Sequence, residues 1–259
     1  MRLRVIGCAG SFPSPESPAS SYLVEADDAT GRTWRLLLDA GSGSVGPLQS
    51  YVQPRDLDAV LLSHLHADHC LDLCGMYVAL RYHPDGPPER RIPVYGPPGT
   101  FRRLADAYGA EEGHQLALVY DVHEWAEEEP VDIGPVRVVP MLVDHPVEAY
   151  GLRLEYPVGD RTRVLTYSGD TDACAALTAL AKNADVLLAE AAFMEGRDQP
   201  RHIHLTGRRA GETATEAGAE RLLLTHLPVW NDPAEVLAEA RSAYGGDLEI
   251  VQPGGLYTI

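Results

Sequence analysis

The chain has 259 residues, of which 45% are hydrophobic, and its 38 acidic side chains outnumber 21 basic ones, for a formal net charge of −17 at pH 7. This length fits one large domain over residues 1–259. No apolar run approaches the roughly 20 residues of a membrane-spanning helix, so no membrane partner is expected. The negative charge opposes stable binding of nucleic acid unless basic residues cluster on one face. Residues 1–6 alternate like a strand and lack the features of an export signal, which predicts a cytoplasmic protein.

Strands and helices are predicted along the whole chain, beginning with a β-meander at 2–8, 20–26 and 34–39. The other predicted strands are 57–62, 92–95, 116–125, 136–143, 150–156, 163–167, 184–189 and 220–225, with a closing strand pair within 248–259. The predicted helices are 71–82, 101–108, 173–181 and 233–244. No break in this alternation divides the chain, so it favours a single α/β domain.

The densest group of ionisable side chains follows the apolar run 57–62 and consists of His64, His66, Asp68 and His69. Alternation along the chain points His64 and His66 to one side, and Asp68 and His69 begin the next turn. Imidazole nitrogen and carboxylate oxygen suit zinc, and the lack of thiolates argues against a closed structural site. The alternative, a set of hydrogen-bonded polar residues, would carry a high desolvation cost without a shared cation. The stretch therefore predicts a metal site that can serve two neighbouring ions.

This His-x-His-x-Asp-His pattern after an apolar strand resembles the signature of the metallo-β-lactamase-fold hydrolases. The resemblance implies a four-layer αββα sandwich with a two-metal site at one edge. The segment Asp39-Ala40-Gly41 resembles the strand-end Asp-x-Gly of the same family, which implies a supporting role for Asp39 and not that of a ligand. A glycine-rich turn capped by an aspartate explains Asp39 almost as well.

Three further residues stand where the family places metal ligands, each at the end of a predicted strand: His145, Asp170 and His226. The resemblance implies that one ion is held by His64, His66 and His145 and the other by Asp68, His69 and His226, with Asp170 and a water bridging them. His145 could instead be a polar residue at a hairpin, and Asp170 an N-cap of the following helix. Zinc is the first expectation for both ions, with manganese or iron as alternatives.

Glu190 and the segment around His204 resemble the ribonuclease Z-like phosphodiesterase branch of the family. Matched to that branch, Glu190 would orient His204, and His204 would stabilise the phosphoryl transition state or protonate the departing oxygen. The alternative for His204 is a surface histidine next to a helix N-cap. His202 is interpreted as a loop residue without a partner. His83, His114 and His123 have no such context and are interpreted as ordinary side chains.

The implied mechanism is attack by a hydroxide held between two ions about 3.5 to 4 Å apart, which lower the pKa of water toward about 7. Asp68 would also accept a hydrogen bond from this nucleophile and aim it. Residues 146–169 leave no room for the basic arm of the tRNA-processing enzymes, and the continuation 227–232 also departs from theirs. We therefore expect a zinc-dependent phosphoric diester hydrolase acting on a small cyclic nucleotide, with 3′,5′-cyclic AMP as the first candidate.

Several alternatives to this function stay open at the level of sequence. A tRNA 3′-end endonuclease and a lactonase or thioesterase use the same fold, and a lactonase should not need His204. A redox di-iron protein usually has an acidic residue at the position of His66, and a zinc-stabilised binding domain is disfavoured because no ligand position is missing. Trp230, Tyr82 or Phe193 could stack on a base, although each is more often a core residue. A homodimer is expected only by analogy with the family.

Overall fold

The computed structural model describes residues 1–109 and 115–259 and contains two seven-stranded sheets. Seven strands form the first sheet: β1 (Arg2–Gly7), β2 (Ser21–Asp27), β3 (Thr33–Leu38), β4 (Ala59–Leu61), β5 (Ile92–Gly96), β6 (Tyr120–Glu124) and β14 (Leu256–Thr258). Their order is β14-β1-β2-β3-β4-β5-β6. The opening meander is confirmed, because β1, β2 and β3 pair antiparallel in sequence. From β3 to β6 the pairing is parallel.

The second sheet comes from the later part of the chain. Its strands are β7 (Val131–Ile133), β8 (Val136–Leu142), β9 (Tyr150–Val158), β10 (Arg161–Tyr167), β11 (Val186–Glu190), β12 (Arg221–Thr225) and β13 (Asp247–Ile250), hydrogen-bonded in sequence order. Strands β7 to β10 are antiparallel and β10 to β13 are parallel. In the parallel part, successive strands therefore end at the same edge.

Helices cover the outer faces of both sheets. They are α1 (Val45–Leu48), α2 (Ala67–Cys70), α3 (Asp72–Arg81), α4 (Thr100–Tyr108), α5 (Ala175–Leu180), α6 (Gly207–Ala217) and α7 (Pro233–Arg241), with 3₁₀ turns at Pro54–Asp56 and Leu116–Leu118. No helix in the described part of the chain is long and apolar enough to cross a membrane.

Side-chain alternation along the buried strands fixes the layers. On β3, Leu36 and Leu38 face the core between the two sheets, whereas Leu37 faces α1, α3 and α4. On β11, Leu188 faces the same central core, and Leu187 packs with α5, α6 and α7. Because a strand presents successive residues to opposite faces, two apolar faces per strand require cover on both sides. The predicted αββα sandwich is confirmed.

Four details differ from the predicted elements. Leu116–Leu118 is a 3₁₀ turn and not the start of a strand, since a three-residue apolar run does not separate the two. Helix α6 was not predicted, because its buried face consists of small residues such as Ala210 and Gly211 in place of large apolar ones. The short strand β7 was also not predicted. The closing strand pair is wrong, because β13 lies parallel to β12 whereas β14 pairs with β1 in the other sheet.

Candidate metal centre

The predicted ligands converge at the edge where strands of both sheets end. His64 follows β4 by three residues, His66 precedes α2 in an extended conformation, and Asp68 and His69 lie within α2. His145 follows β8, Asp170 follows β10, and His226 directly follows β12. The first sheet and its short helix thus supply four of these side chains, and the second sheet supplies three. All seven form two adjoining groups of potential ligands.

The first group contains three imidazoles whose burial decreases from His64 to His145 to His66. His66 Nδ1 lies 3.0 Å from His64 Nε2 and 3.3 Å from His145 Nε2. Nitrogens about 2.0 to 2.1 Å from a tetrahedral zinc ion would be about 3.3 Å apart, so these separations fit one shared ion. Burial, together with the neighbouring imidazoles, lowers the pKa of His64 and of His66. Neutral imidazole is the form that binds metal.

The second group, Asp68, His69, Asp170 and His226, is buried throughout. His69 Nε2 lies 3.4 Å from Asp68 Oδ2 and 3.3 Å from Asp170 Oδ1, and His226 Nε2 lies 3.3 Å from Asp170 Oδ2. Among the described residues, His69 Nε2 and Asp170 Oδ1 have no hydrogen-bond partner although both are buried. Buried polar atoms without a partner are costly, and a cation between them would remove that cost.

Asp170 stands between the two groups. Its Oδ1 faces His69, and its Oδ2 lies 3.7 Å from His64 Nε2 in the first group. Burial opposes ionisation of this carboxyl, but the imidazoles of His226 and His69 hold its pKa well below the usual range. The ionised carboxylate therefore has Oδ1 toward His69 and Oδ2 between His226 and His64, so it lies next to both groups, as a bridging ligand must.

Asp39 lies behind the buried candidate ligand His69 and positions its ring. Its Oδ2 accepts hydrogen bonds from His69 Nδ1 and from the Tyr167 hydroxyl, both at 2.7 Å. The Ser63 backbone N–H and hydroxyl also donate to this carboxylate. With Nδ1 held by Asp39, Nε2 of His69 faces Asp170. Asp39 belongs to none of the ligand groups, in agreement with a supporting role.

Two more ligands have fixed ring orientations. His145 Nδ1 donates to the backbone carbonyl of Ile203 at 2.8 Å, and His226 Nδ1 lies 2.9 Å from the Ser20 hydroxyl. Nε2 of His145 is thus left to face the centre, whereas Nε2 of His226 lies 3.3 Å from Asp170 Oδ2 and 3.3 Å from the Ser11 backbone N–H. Burial opposes protonation of His69, but Asp170 and Asp39 raise its pKa well above the usual value. The site thus favours positive charge, and its histidines and aspartates can bind metal.

Glu190 and His204 form an ion pair next to the centre. Glu190 Oε1 lies 2.7 Å from His204 Nδ1, and His204 Nδ1 lies 3.9 Å from Asp170 Oδ2. Burial opposes protonation of His204, but the Glu190 carboxylate outweighs it and raises the pKa of His204 to about 9. Both Glu190 oxygens also accept backbone N–H groups, from Thr171 and Ala192. Glu190 therefore uses both carboxylate oxygens to position His204 and the backbone at Thr171 and Ala192.

A network around Asp172, which the sequence reasoning missed, holds the segment that carries His204. The buried Asp172 carboxylate accepts hydrogen bonds from Arg201 Nε and from the His202 backbone N–H. His202 lies in a loop, as predicted, but it does have a partner, because its Nδ1 lies 2.8 Å from Asp144 Oδ2. The one sequence feature that could have indicated this network is the second aspartate in Asp170-Thr171-Asp172.

The histidines interpreted as ordinary lie apart from these groups where the structure describes them. His83 contacts Asp85, and His123 stacks on Tyr95. Neither belongs to a ligand group among residues 1–109 and 115–259. His114 falls outside the described residues.

Comparison with known proteins agrees with the geometry. Residues 34–227 match the family described as Beta-lactamase superfamily domain. The uncharacterized protein ML1173 of Mycobacterium leprae is 43% identical over 100% of this chain and 89% of its own length. The metallo-beta-lactamase fold protein YhfI of Bacillus subtilis is 30% identical over 98% of each chain.

A structural comparison and a further sequence comparison show which members of the family this chain is similar to. The crystal structure of YhfI superposes with a TM-score of 0.85 over 99% of this chain and 98% of that one. Ribonuclease Z of Myxococcus xanthus is 30% identical over 98% of this chain and 96% of its own length. The family match across residues 34–227 and these full-length similarities place the chain in the beta-lactamase superfamily, on the metallo-hydrolase branch that includes ribonuclease Z.

Proposed function

We propose that this protein is a metal-dependent phosphodiesterase that hydrolyses a small cyclic nucleotide, with 3′,5′-cyclic AMP as the first candidate. The observation that carries the proposal is the pair Glu190 and His204, 2.7 Å apart and adjoining the bridging position of Asp170. A lactam or thioester hydrolase needs the metal centre but not this cationic imidazole. A phosphodiester does benefit from it, because negative charge grows on the departing oxygen during cleavage.

The residues that would hold two ions are His64, His66 and His145 for one, and Asp68, His69 and His226 for the other, with Asp170 shared. The imidazole-rich set favours zinc over magnesium or calcium, which prefer oxygen ligands. When bound, two such ions would lower the pKa of a water between them and neutralise charge on the substrate phosphate.

Two side chains next to the centre would orient the attacking water and protonate the departing oxygen. Asp68 lies beside His69 and His226 and can accept a hydrogen bond from the attacking water, which aims it. His204 Nδ1 is occupied by Glu190, so Nε2 is the nitrogen that can face a substrate and donate a proton to the departing oxygen. A protonated His204 at neutral pH suits this donation.

A small substrate is favoured over tRNA by two features of the chain. Between His145 and Asp170 the chain consists of β9, β10, the two-residue turn at 159–160 and the short flanking segments 146–149 and 168–169, which leaves no arm to surround a folded RNA. The net charge of −17 also opposes a polyanion. Cleavage of tRNA 3′ ends is the second candidate, and it is supported by the 30% identity to ribonuclease Z of Myxococcus xanthus.

Turnover of a substrate panel tests the proposal. The panel contains 3′,5′-cyclic AMP, bis(p-nitrophenyl) phosphate, a precursor tRNA and a lactone, on zinc-loaded and manganese-loaded wild type and His204→Ala. We expect cleavage of the cyclic nucleotide and the synthetic diester, with a kcat about 10²- to 10⁴-fold lower in His204→Ala at unchanged metal content. Cleavage of precursor tRNA alone would select the second candidate. Lactone cleavage that does not depend on His204 would refute a phosphodiesterase.

A further inference from the structure

Two exposed aromatic side chains, Phe12 and Trp230, lie against each other beside the metal centre. Their ring centroids are 5.3 Å apart with planes tilted by 41°, and the side chains are 40% and 60% exposed. The neighbouring Val229 is exposed as well. Large apolar side chains gathered on the surface are costly to keep in water and often mark a binding site.

The loop that carries Phe12 is attached directly to a candidate ligand. The Ser11 backbone N–H lies 3.3 Å from His226 Nε2, and the Gly10 N–H donates to the Leu227 carbonyl at 3.1 Å. A Cβ at Gly10 would lie 2.3 Å from the His226 carbonyl oxygen, so only glycine allows this approach. Ser11 itself is exposed, so the loop reaches from the solvent to the candidate ligand His226. Phe12 thus stands one residue from a group that touches the ligand.

The turn that carries Trp230 is also fixed to the catalytic edge. Trp230 follows His226 by four residues, and the next residue, Asn231, is buried. The Asn231 backbone N–H donates to the Pro228 carbonyl, and its Nδ2 donates to the Ala192 carbonyl at 2.8 Å. The Ala192 N–H in turn donates to Glu190, the partner of His204. The backbone that carries each aromatic ring is therefore hydrogen-bonded to segments that carry the candidate catalytic and metal-binding residues.

Tyr82 and Phe193, the other two aromatic residues considered for base stacking, do not share this placement. Tyr82 is 61% exposed but lies just beyond the end of α3, on the outer helical layer. Phe193 packs edge-on against His204, with ring centroids 5.0 Å apart, so its position supports the imidazole. Phe12 and Trp230 are thus the pair that combines exposure with attachment to the centre.

We propose that Phe12 and Trp230 form a stacking platform for the base of the nucleotide substrate, an inference that rests on the proposed function. An uncharged aromatic ring recognises a base through its π-face and needs no positive charge, which suits a protein of net charge −17. The phosphate then lies at the metal centre while the base lies over the aromatic pair. Stacking of this kind tolerates different bases, so the platform selects nucleotides over simple phosphate esters.

Binding without hydrolysis tests the platform. Calorimetric titration of the zinc-loaded protein with 5′-AMP and with ribose 5-phosphate gives the ratio of the two dissociation constants. We expect wild type to bind 5′-AMP about 5- to 20-fold more tightly, the lower part of what base–aromatic stacking contributes. Trp230→Leu should reduce the ratio to near 1, and Trp230→Phe should keep most of it. Tyr82→Leu, which removes an equally exposed aromatic ring elsewhere, should leave the ratio unchanged.

The outcomes separate the platform from the proposed activity. An unchanged ratio in both Trp230→Leu and Phe12→Leu, or no measurable preference of wild type for 5′-AMP, would overturn the platform even if cyclic nucleotides are cleaved. A preference that depends on Trp230 would support it even if 3′,5′-cyclic AMP proves inert and the proposed activity fails. Folding of each variant is checked by its unfolding transition, and Trp230→Phe guards against a merely structural loss.

Discussion

Replacing Glu190 by glutamine would test whether this carboxylate keeps His204 protonated at neutral pH. The Glu190 charge, 2.7 Å from Nδ1, raises the pKa of His204 from 6.5 to about 9 although burial opposes it. Glutamine removes the charge and leaves burial in place, so the pKa of His204 should fall to about 6.5 or below. Bound cations lower the pKa further in wild type and variant alike, so the difference between the two remains.

The expected loss of activity follows from the protonated fraction of His204. With the pKa values of the metal-free site, about 9 and about 6.5, roughly 97% and roughly 9% of the imidazole is protonated at pH 7.5, and this ratio of about ten is a lower limit when bound ions lower both pKa values equally. A proton donor is lost as pH rises through its pKa, so Glu190→Gln should lose activity at lower pH than wild type. We expect its kcat to be about tenfold lower at pH 7.5 and to approach the wild-type value near pH 5.5.

The assay is kcat for cyclic nucleotide cleavage between pH 5 and 9, with metal content measured at each pH. The glutamine amide would face the N–H of Thr171 or of Ala192, and loss of that hydrogen bond should lower the free energy of unfolding by about 1–3 kcal/mol. Glu249→Gln, which removes a carboxylate hydrogen-bonded to Tyr257, controls for loss of charge elsewhere. A constant ratio of the two kcat values across the whole pH range would refute the reasoning.

Three other substitutions test the centre and the core. Asp170→Ala removes the shared carboxylate and should abolish both full metal content and turnover, as measured by elemental analysis and kcat; retention of both would contradict the bridging role. Asp39→Asn should weaken metal affinity about 10- to 100-fold in chelator competition, because His69 loses its negatively charged acceptor, and wild-type affinity would exclude that role. Leu188→Ala, between the sheets, should lower the free energy of unfolding by about 2–5 kcal/mol in denaturant titration with metal still bound, and a smaller change would show that the core closes over the gap.

The parts of the fold and site that the sequence could predict are those in which a strand and the residues that it positions lie next to each other in the chain. His64, His66, Asp68 and His69 follow an apolar strand so closely that the strand alone delivers them to an edge. The same logic of strand followed by ligand applied to His145, Asp170 and His226, and the structure brings all seven side chains together. Their binding of metal stays a prediction until ions are measured.

The parts that could not be predicted depend on residues far apart in the chain. Asp172 and Arg201 meet only because β10 and the loop before α6 end at one edge. The sequence of neither segment indicates that it contacts the other. The partner of His202 was missed for the same reason. The return of β14 to β1 is set by packing of the two sheets, since the glycine-rich turn at 253–255 would suit a hairpin equally well.

Because the candidate ligands are divided between the two sheets, the metal content of the protein should also report whether the sheets have docked. Four of the seven candidate ligands lie within residues 64–69, and the other three arrive only with the second sheet. A molecule in which the sheets have formed but not docked would carry half of each coordination shell and should retain little metal after dialysis. The number of ions per chain would therefore grade how much of a preparation, or of any variant, has completed its assembly.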